Sequence, residues 1–195
     1  MSNAEPKKYH HGDLRAALIE AGLGLLAERS ADELGLREVA RAVGVSATAV
    51  YRHFPDKGAF LAALAQEGLR QLGAAQRAAS EAVGGGDAGF AATGAAYVRF
   101  AIANPALFRL AFSASGGCEA PKWVPGGWDT PDNDAAALLR ENAERLSGSE
   151  AKARVTALKA WALVHGLALL ILDGQISLDD SEIDAVVGGF DPRKG

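Results

Sequence analysis

Cysteine is almost missing from this sequence: Cys118 stands alone among 195 residues. No intrachain disulfide can form, which excludes a stapled secreted scaffold and fits a reducing cytoplasm. The lone thiol reads as a bystander before it reads as a redox sensor. Methionine and cysteine ligand clusters are lacking and the four histidines are scattered, so no metal site and no cofactor is expected. Runs of alternating β-branched residues are absent, which removes the signature of half-buried strands. The N-terminus, MSNAEPKKYHHGD, has none of the apolar core of a signal peptide, and Ser2-Asn3-Ala4 resembles a tag scar. The longest uncharged apolar run, Trp161 to Leu172, is 12 residues. That is short of the roughly 20 needed to cross a bilayer, and no membrane partner is expected. Catalytic signatures are missing as well. There is no Gly-x-Ser-x-Gly, no Walker loop, no zinc helix and no plausible Cys–His nucleophile pair, so the chain is not expected to be an enzyme.

What is present points one way. The chain is 49% apolar and 23% charged, too apolar for global disorder. Alanine, leucine, glutamate and arginine recur at helical spacings, so the fold class is all-α. The net charge of −4 argues against a wholly basic nucleic-acid coat. Its distribution says more. Residues 1–60 carry eight Lys/Arg against eight Asp/Glu, so the whole deficit lies in the remainder, with twelve against sixteen. A neutral N-terminal piece on an acidic body can still bind DNA if its positive groups share one face.

Four helices are expected in that piece. Asp13 can cap the first, in which Leu14, Leu18, Ala21 and Leu25 share a face to about Glu28. Leu36, Val39, Ala40 and Val43 mark a second, and Gly44 supplies a backbone free to take positive φ at its end. Ser46 is the N-cap of a third, which Pro55 stops. Asp56 can cap a fourth that opens with Lys57 and carries Phe60, Leu61 and Leu64 inward. Two short helices joined by a tight Gly-containing turn and braced by a longer one form a helix-turn-helix.

Further on, GGGDAG (84–89) formally satisfies a dinucleotide-binding pattern, but helical sequence precedes it where a strand is required, so it reads as a linker. Helices are then expected at about 88–103, over ALFRLAFS with Pro105 in its first turn, and at about 134–146, 150–173 and 180–188. Residues 114–133 form a long loop holding Trp123 and Trp128, expected to fold back over something. The 150–173 segment is apolar on both sides: Leu158, Trp161, Ala162, His165, Leu169 and Leu172 on one, Leu163, Leu167, Leu170 and Ile171 on the other. Such a helix must be covered twice, by its own core and by a second copy of the chain, with Gly166 and Ala168 allowing close approach.

At 100° per residue, Ala47, Val50 and Phe54 of the third helix point inward, onto Leu36, Val39 and Val43. Thr48, Ala49, Arg52 and His53 point outward. Tyr51 lies at the edge, where its hydroxyl can reach a phosphate. Ser46 turns the positive end of the helix toward an anion, and Lys57 is a further phosphate partner. Thr48 and Ala49 are short enough for close approach to a major groove, and their methyls suit a thymine methyl.

The stretch LREVARAVGVSATAVYRHFPDK (36–57) resembles the DNA-binding signature of the tetracycline-repressor-like (TetR) family: a hydrophobic-x-x-hydrophobic-Ala stretch, a Gly-Val-Ser turn, then Tyr-x-His-Phe-x-x-Lys. In the second half, Asn104-Pro105-Ala106-Leu107-Phe108-Arg109 and Trp161-Ala-Leu-Val-His165-Gly166 resemble the branch named for its Trp-His-Gly C-terminal ligand-binding domain. Tyr9-His10-His11-Gly12-Asp13-Leu14-Arg15 is similar to the start common in that branch. The resemblance implies a three-helix DNA-binding domain (8–57) on a larger helical ligand-binding and dimerisation domain (58–195). It implies a cytoplasmic homodimer, usually a repressor, on a palindromic double-stranded operator. Arg37, Ser46, Thr48, Tyr51, His53 and Lys57 match DNA-contacting positions of the family. Arg52 is added for its outward angle, with Lys7 and Lys8 as weaker candidates from the arm.

Phe100, Phe108, Phe112, Trp123, Trp128, Trp161 and His165 supply aromatic walls with few polar groups, which suits a lipophilic or planar small-molecule effector. Aromatics at helical spacing can equally be plain core, and His165 reads first as a hydrogen-bonded core histidine. Two rival classes stay open here: an enzyme without a recognisable motif, and a helical module whose head binds protein. The second would show no salt-dependent DNA affinity.

Overall fold

Gly44 decides where the second helix stops. It takes φ 76°, and its N–H donates to the Arg41 carbonyl while that of Val45 donates to Ala40. This left-handed closure costs glycine no Cβ clash. The computed structural model describes residues 14–113 and 134–190, which hold nine helices and no strand. The Asp13 cap, the arm residues Lys7 and Lys8, Cys118 and the 114–133 loop with Trp123 and Trp128 lie outside the described residues.

The N-terminal helices are α1 (Leu14–Leu26), α2 (Leu36–Val43), α3 (Ala47–Tyr51) and α4 (Lys57–Ala82). As expected, Ser46 caps α3 and Asp56 caps α4, each side-chain oxygen accepting from a backbone N–H three residues on. The end of α3 differs from expectation. It closes at Tyr51, one turn ahead of Pro55, because the N–H groups of His53 and Phe54 both fold onto the Val50 carbonyl. The residue before a proline is steered away from the helical region, so the turn tightens before the proline itself.

Beyond them lie α5 (Gly86–Ala103), α6 (Pro105–Phe112), α7 (Asp134–Ser147), α8 (Glu150–Leu172) and α9 (Asp180–Gly188), close to the spans read from the sequence. Gly84 and Gly85, both at positive φ, turn the chain between α4 and α5, so GGGDAG follows a helix and not a strand. Pro105 stands in the first turn of α6, where its missing N–H costs nothing. Asp179 and Glu182 form a reciprocal capping box at the start of α9.

Two main cores result. The first gathers Leu18, Leu26, Val39, Val50, Phe54, Phe60 and Leu64 with Leu107 and Leu110 of α6. The second gathers Leu72, Tyr97, Val98, Phe108, Val164, Leu167, Ala168, Ile183 and Val187. Helices α4 and α6 therefore contribute to both. They approach closely at Gly68, where an added Cβ would lie 2.9 Å from a Leu107 methyl.

The faces of α8 divide differently from the stripes read in the sequence. Ala153, Ala157, Ala160, Val164, Leu167 and Ala168 are buried against neighbouring helices, while Val155, Leu158, Ala162 and Leu170 are exposed. Gly166 lies open, with nothing within 4 Å of an added Cβ, whereas Ala168 is fully buried. Only the glycine is thus available to ease approach from outside. Among the described residues α8 is also the one helix long and apolar enough to cross a membrane. A count of uninterrupted apolar residues conceals this because Lys159 breaks the run.

Candidate nucleic-acid interface and aromatic site

Val50 and Phe54, 0% and 2% exposed, hold the α3 segment to the core. The Phe54 ring meets Phe60 edge-on at 4.9 Å between centroids, and the Arg15 guanidinium lies 5.4 Å from the Phe54 centroid. A five-residue helix has little stability of its own. The Ser46 cap and these two anchors fix its orientation instead. Thr48, Tyr51, Arg52 and His53 are exposed, Ser46 is exposed at the cap, and Ala49 is half-buried.

Helix α2 adds Arg37 and, one turn on, Arg41, both exposed. Arg41 is not among the candidate positions read from the sequence, although its spacing of four from Arg37 puts the two on one face. None of Arg37, Arg41 and Arg52 has an ion-pair partner among the described residues, whereas Arg29 beside them bonds Glu38 at 2.8 Å. Lys57 is half-buried, and its Nζ donates to the Asp32 carbonyl at 2.6 Å. The lysine thereby ties the α1–α2 loop to the start of α4.

The second site lies where α5, α6 and α8 meet. Phe108 and Phe112, four apart on α6, lie 4.8 Å apart between centroids with their planes tilted by 49°. The His165 ring lies 5.6 Å from Phe108, 5.1 Å from Phe112 and 5.3 Å from Trp161. Phe108 is fully buried, while Phe112, Trp161 and His165 are half-buried. Phe100 stands apart from this group and packs at the junction of the two cores.

Tyr97 of α5 completes the cluster. Its hydroxyl lies 2.8 Å from His165 Nδ1 and accepts from the Trp161 indole N–H at 3.3 Å. Burial raises the Tyr97 phenol pKa, so it stays neutral, and burial lowers that of His165. His165 is thus the hydrogen-bonded histidine expected, with a partner the sequence reading did not name. The available signal was only that Tyr97 lies near one helix face with Phe90 and Phe100.

Two family models match the chain. The one described as bacterial regulatory proteins, tetR family, covers residues 18–64, from α1 into α4. The other, a tetracyclin repressor-like C-terminal domain, covers residues 90–188, from α5 to the end of α9. The chain belongs to the TetR family. Members of the family bind DNA through the helix-turn-helix, bind small-molecule effectors through the C-terminal domain, and act as dimers.

Solved structures agree with this TetR fold. A protein of unknown function from Rhodococcus sp. RHA1 is 30% identical, with 94% of this chain and 96% of that one covered at a TM-score of 0.69. A TetR variant from Acinetobacter baumannii AYE in complex with minocycline is 19% identical, covering 94% and 97% at 0.58. NalD of Pseudomonas aeruginosa, the secondary repressor of the MexAB-OprM multidrug efflux pump, is 17% identical, covering 92% and 95% at 0.58.

Proposed function

We propose that this TetR-family chain is a cytoplasmic, homodimeric repressor that leaves a palindromic operator when a small lipophilic or aromatic effector binds. The observation that carries the reading is the capped, anchored α3 beside exposed arginines that lack carboxylate partners among the described residues. Unpaired cations on a rigid surface favour a polyanion, because counterions released from the duplex reward each phosphate they meet. Ser46, Tyr51, Lys57 and Arg37 address phosphates; Thr48, with Arg52 and His53, faces bases. Lys57 would exchange or share its bond to the Asp32 carbonyl for a phosphate.

Residues 8–57 read DNA in this proposal, and residues 58–195 sense the effector and pair the subunits. The exposed α8 stripe of Val155, Leu158, Ala162 and Leu170, with Gly166 open among them, is the pairing face. A two-fold dimer sets its half-sites about 34 Å apart or a multiple of that. Phe108, Phe112, Trp161 and His165 form the effector site in this proposal. Because α6 carries Phe108 and Phe112 into that site and Leu107 and Leu110 into the head core, effector binding can reach the head through one short helix. The shift is bounded by the effector's differential affinity, typically about 1–3 kcal/mol.

Selection of bound sequences from a random duplex pool, followed by a screen for small molecules that release the winner, tests the reading. An enriched palindrome is the expected result, and its absence overturns the proposal. Within that assay Tyr51→Phe and Lys57→Ala should weaken all sequences alike, with Lys57→Ala lowering the salt slope by about one. Thr48 substitutions should change base preference instead. Charging the α8 face with Leu158→Glu and Leu170→Glu should give a monomer in light scattering. A wild-type chain that is monomeric in solution but partitions into vesicles would assign α8 to a membrane instead.

A further inference from the structure

Hydrogen-bond chemistry fixes a direction in the α5–α8 aromatic cluster. An indole N–H can only donate, so the Tyr97 oxygen accepts from Trp161. Among the described residues His165 Nδ1, at 2.8 Å, is the other polar neighbour of that oxygen, so the tautomer that gives the buried hydroxyl proton an acceptor is the one in which Nδ1 presents a lone pair. A neutral imidazole with a bare Nδ1 carries its proton on Nε2. The Nε2–H has no acceptor among the described residues, and the ring around it is only half-buried. A relay of two bonds therefore ends in one unused donor, set among Phe108, Phe112 and Trp161.

We propose that the Trp161–Tyr97–His165 relay makes His165 Nε2–H the polar anchor of the effector site, selecting planar, uncharged molecules that carry a carbonyl-type acceptor. This rests on the effector-binding reading above and narrows it to a chemical class. Tyr97 acts as a positioning residue, holding the imidazole in the tautomer that donates. Among the described residues, the charged side chains of α5 and α6 are all paired. Arg99 is committed to Asp180 and Asp184, and Arg109 to Asp173, so neither a free cation for an anionic effector nor a free carboxylate for a cationic one is supplied by these groups. A ligand with only donors would set its N–H against another N–H. Burial, which disfavours the imidazolium, keeps the histidine in the neutral state that the relay requires.

The test uses the full chain and three tricyclic probes in equilibrium dialysis: fluorenone, fluorene, which lacks the carbonyl, and cationic 9-aminoacridine. Fluorenone should bind roughly threefold to tenfold more tightly than fluorene, the worth of one neutral hydrogen bond. His165→Phe keeps a ring in place and should bring the ratio to about one, and Tyr97→Phe should lower it. Histidine-labelled protein should show, in long-range proton–nitrogen spectra at neutral pH, one imidazole protonated on Nε2 alone. That signal should vanish in His165→Phe and become a tautomer mixture in Tyr97→Phe. Should a variant fail to fold, the wild-type ratio and tautomer still decide. Equal binding of fluorenone and fluorene, tighter binding of the cation, no binding of any probe, or an Nδ1-protonated His165 would each overturn the proposal. The wider reading fails separately, on an absent palindrome or the absence of any releasing molecule.

Discussion

The head and the body of this protein differ in how many of their arginines are paired within the chain. In the body, Arg70, Arg99, Arg109 and Arg145 each face a carboxylate, and all four belong to bridges that fasten one turn or one helix to another. In the head, Arg37, Arg41 and Arg52 are exposed without such a partner among the described residues, and only Arg29 is ion-paired there. Exposed ion pairs contribute little to stability, so the contrast matters less for folding than for what is left over. Those four body arginines are engaged by carboxylates of the chain, Arg77 and Arg154 have no ion-pair partner among the described residues, and Tyr97 and His165 meet inside an aromatic cluster. In the proposed reading Arg37, Arg41 and Arg52 are the head cations left for the DNA, while Arg29 and Lys57 are bonded within the chain. A net charge summed over all residues conceals this difference.

The sharpest way to break the comparison is to remove an anchor from the head. Phe54→Ala should lower stability by about 3–5 kcal/mol, read from denaturant unfolding, because a fully packed ring leaves a cavity against Phe60. A loss below 1 kcal/mol would mean that α3 is not held by its core side. Next comes the contact between the regions. Gly68→Ala drives a Cβ toward Leu107 and should cost about 1–3 kcal/mol, while changing the release response to effector more than basal DNA affinity. An unaltered response would deny α4 and α6 any part in coupling. A smaller effect, about 1 kcal/mol, is expected for Ser46→Ala from loss of the cap, and Ser46→Asn should restore most of it.

The smallest effect concerns pH and belongs to the body alone. The folded-state pKa of His165 lies below its ordinary value of about 6.5. The unfolded chain therefore binds the proton more readily, and stability rises with pH in this window. The contribution is present above about pH 6.5 and lost as pH falls through the lowered folded value. Unfolding midpoints at pH 7 and pH 5 should differ less in His165→Phe than in the wild type; an equal difference would show that this histidine is not the group responsible.

Much of the head was legible in the sequence because its determinants are local. Gly44, Ser46 and Asp56 act on backbone groups within a few residues, so position alone announces them. The end of α3 was less legible, since Pro55 acts on the residue before it and the turn closes earlier still. The body resisted more. Tyr97 and His165 meet across 68 residues of chain, and no spacing rule reports such a pairing. On α8 both sides are apolar, so periodicity cannot say which side is inward; Ala168 and Gly166, two residues apart, ended on opposite fates. Of the aromatic candidates, Phe108, Phe112, Trp161 and His165 meet in one cluster, Phe100 sits away from it, and Trp123 and Trp128 lie outside the described residues.

Helix α4 carries a last consequence. Phe60, Leu61 and Leu64 near its start complete the head core, and Leu72 further along it enters the body core. A protease cut just after Lys57 would therefore release a fragment stripped of its own interior, and a recombinant head ending there should be unfolded. A fragment extended through Leu64 would fare better but would expose the surface that Leu107 and Leu110 cover. The proposed division of labour falls near residue 57, but the folding does not divide there: the helix-turn-helix borrows its solidity from the helices that follow it.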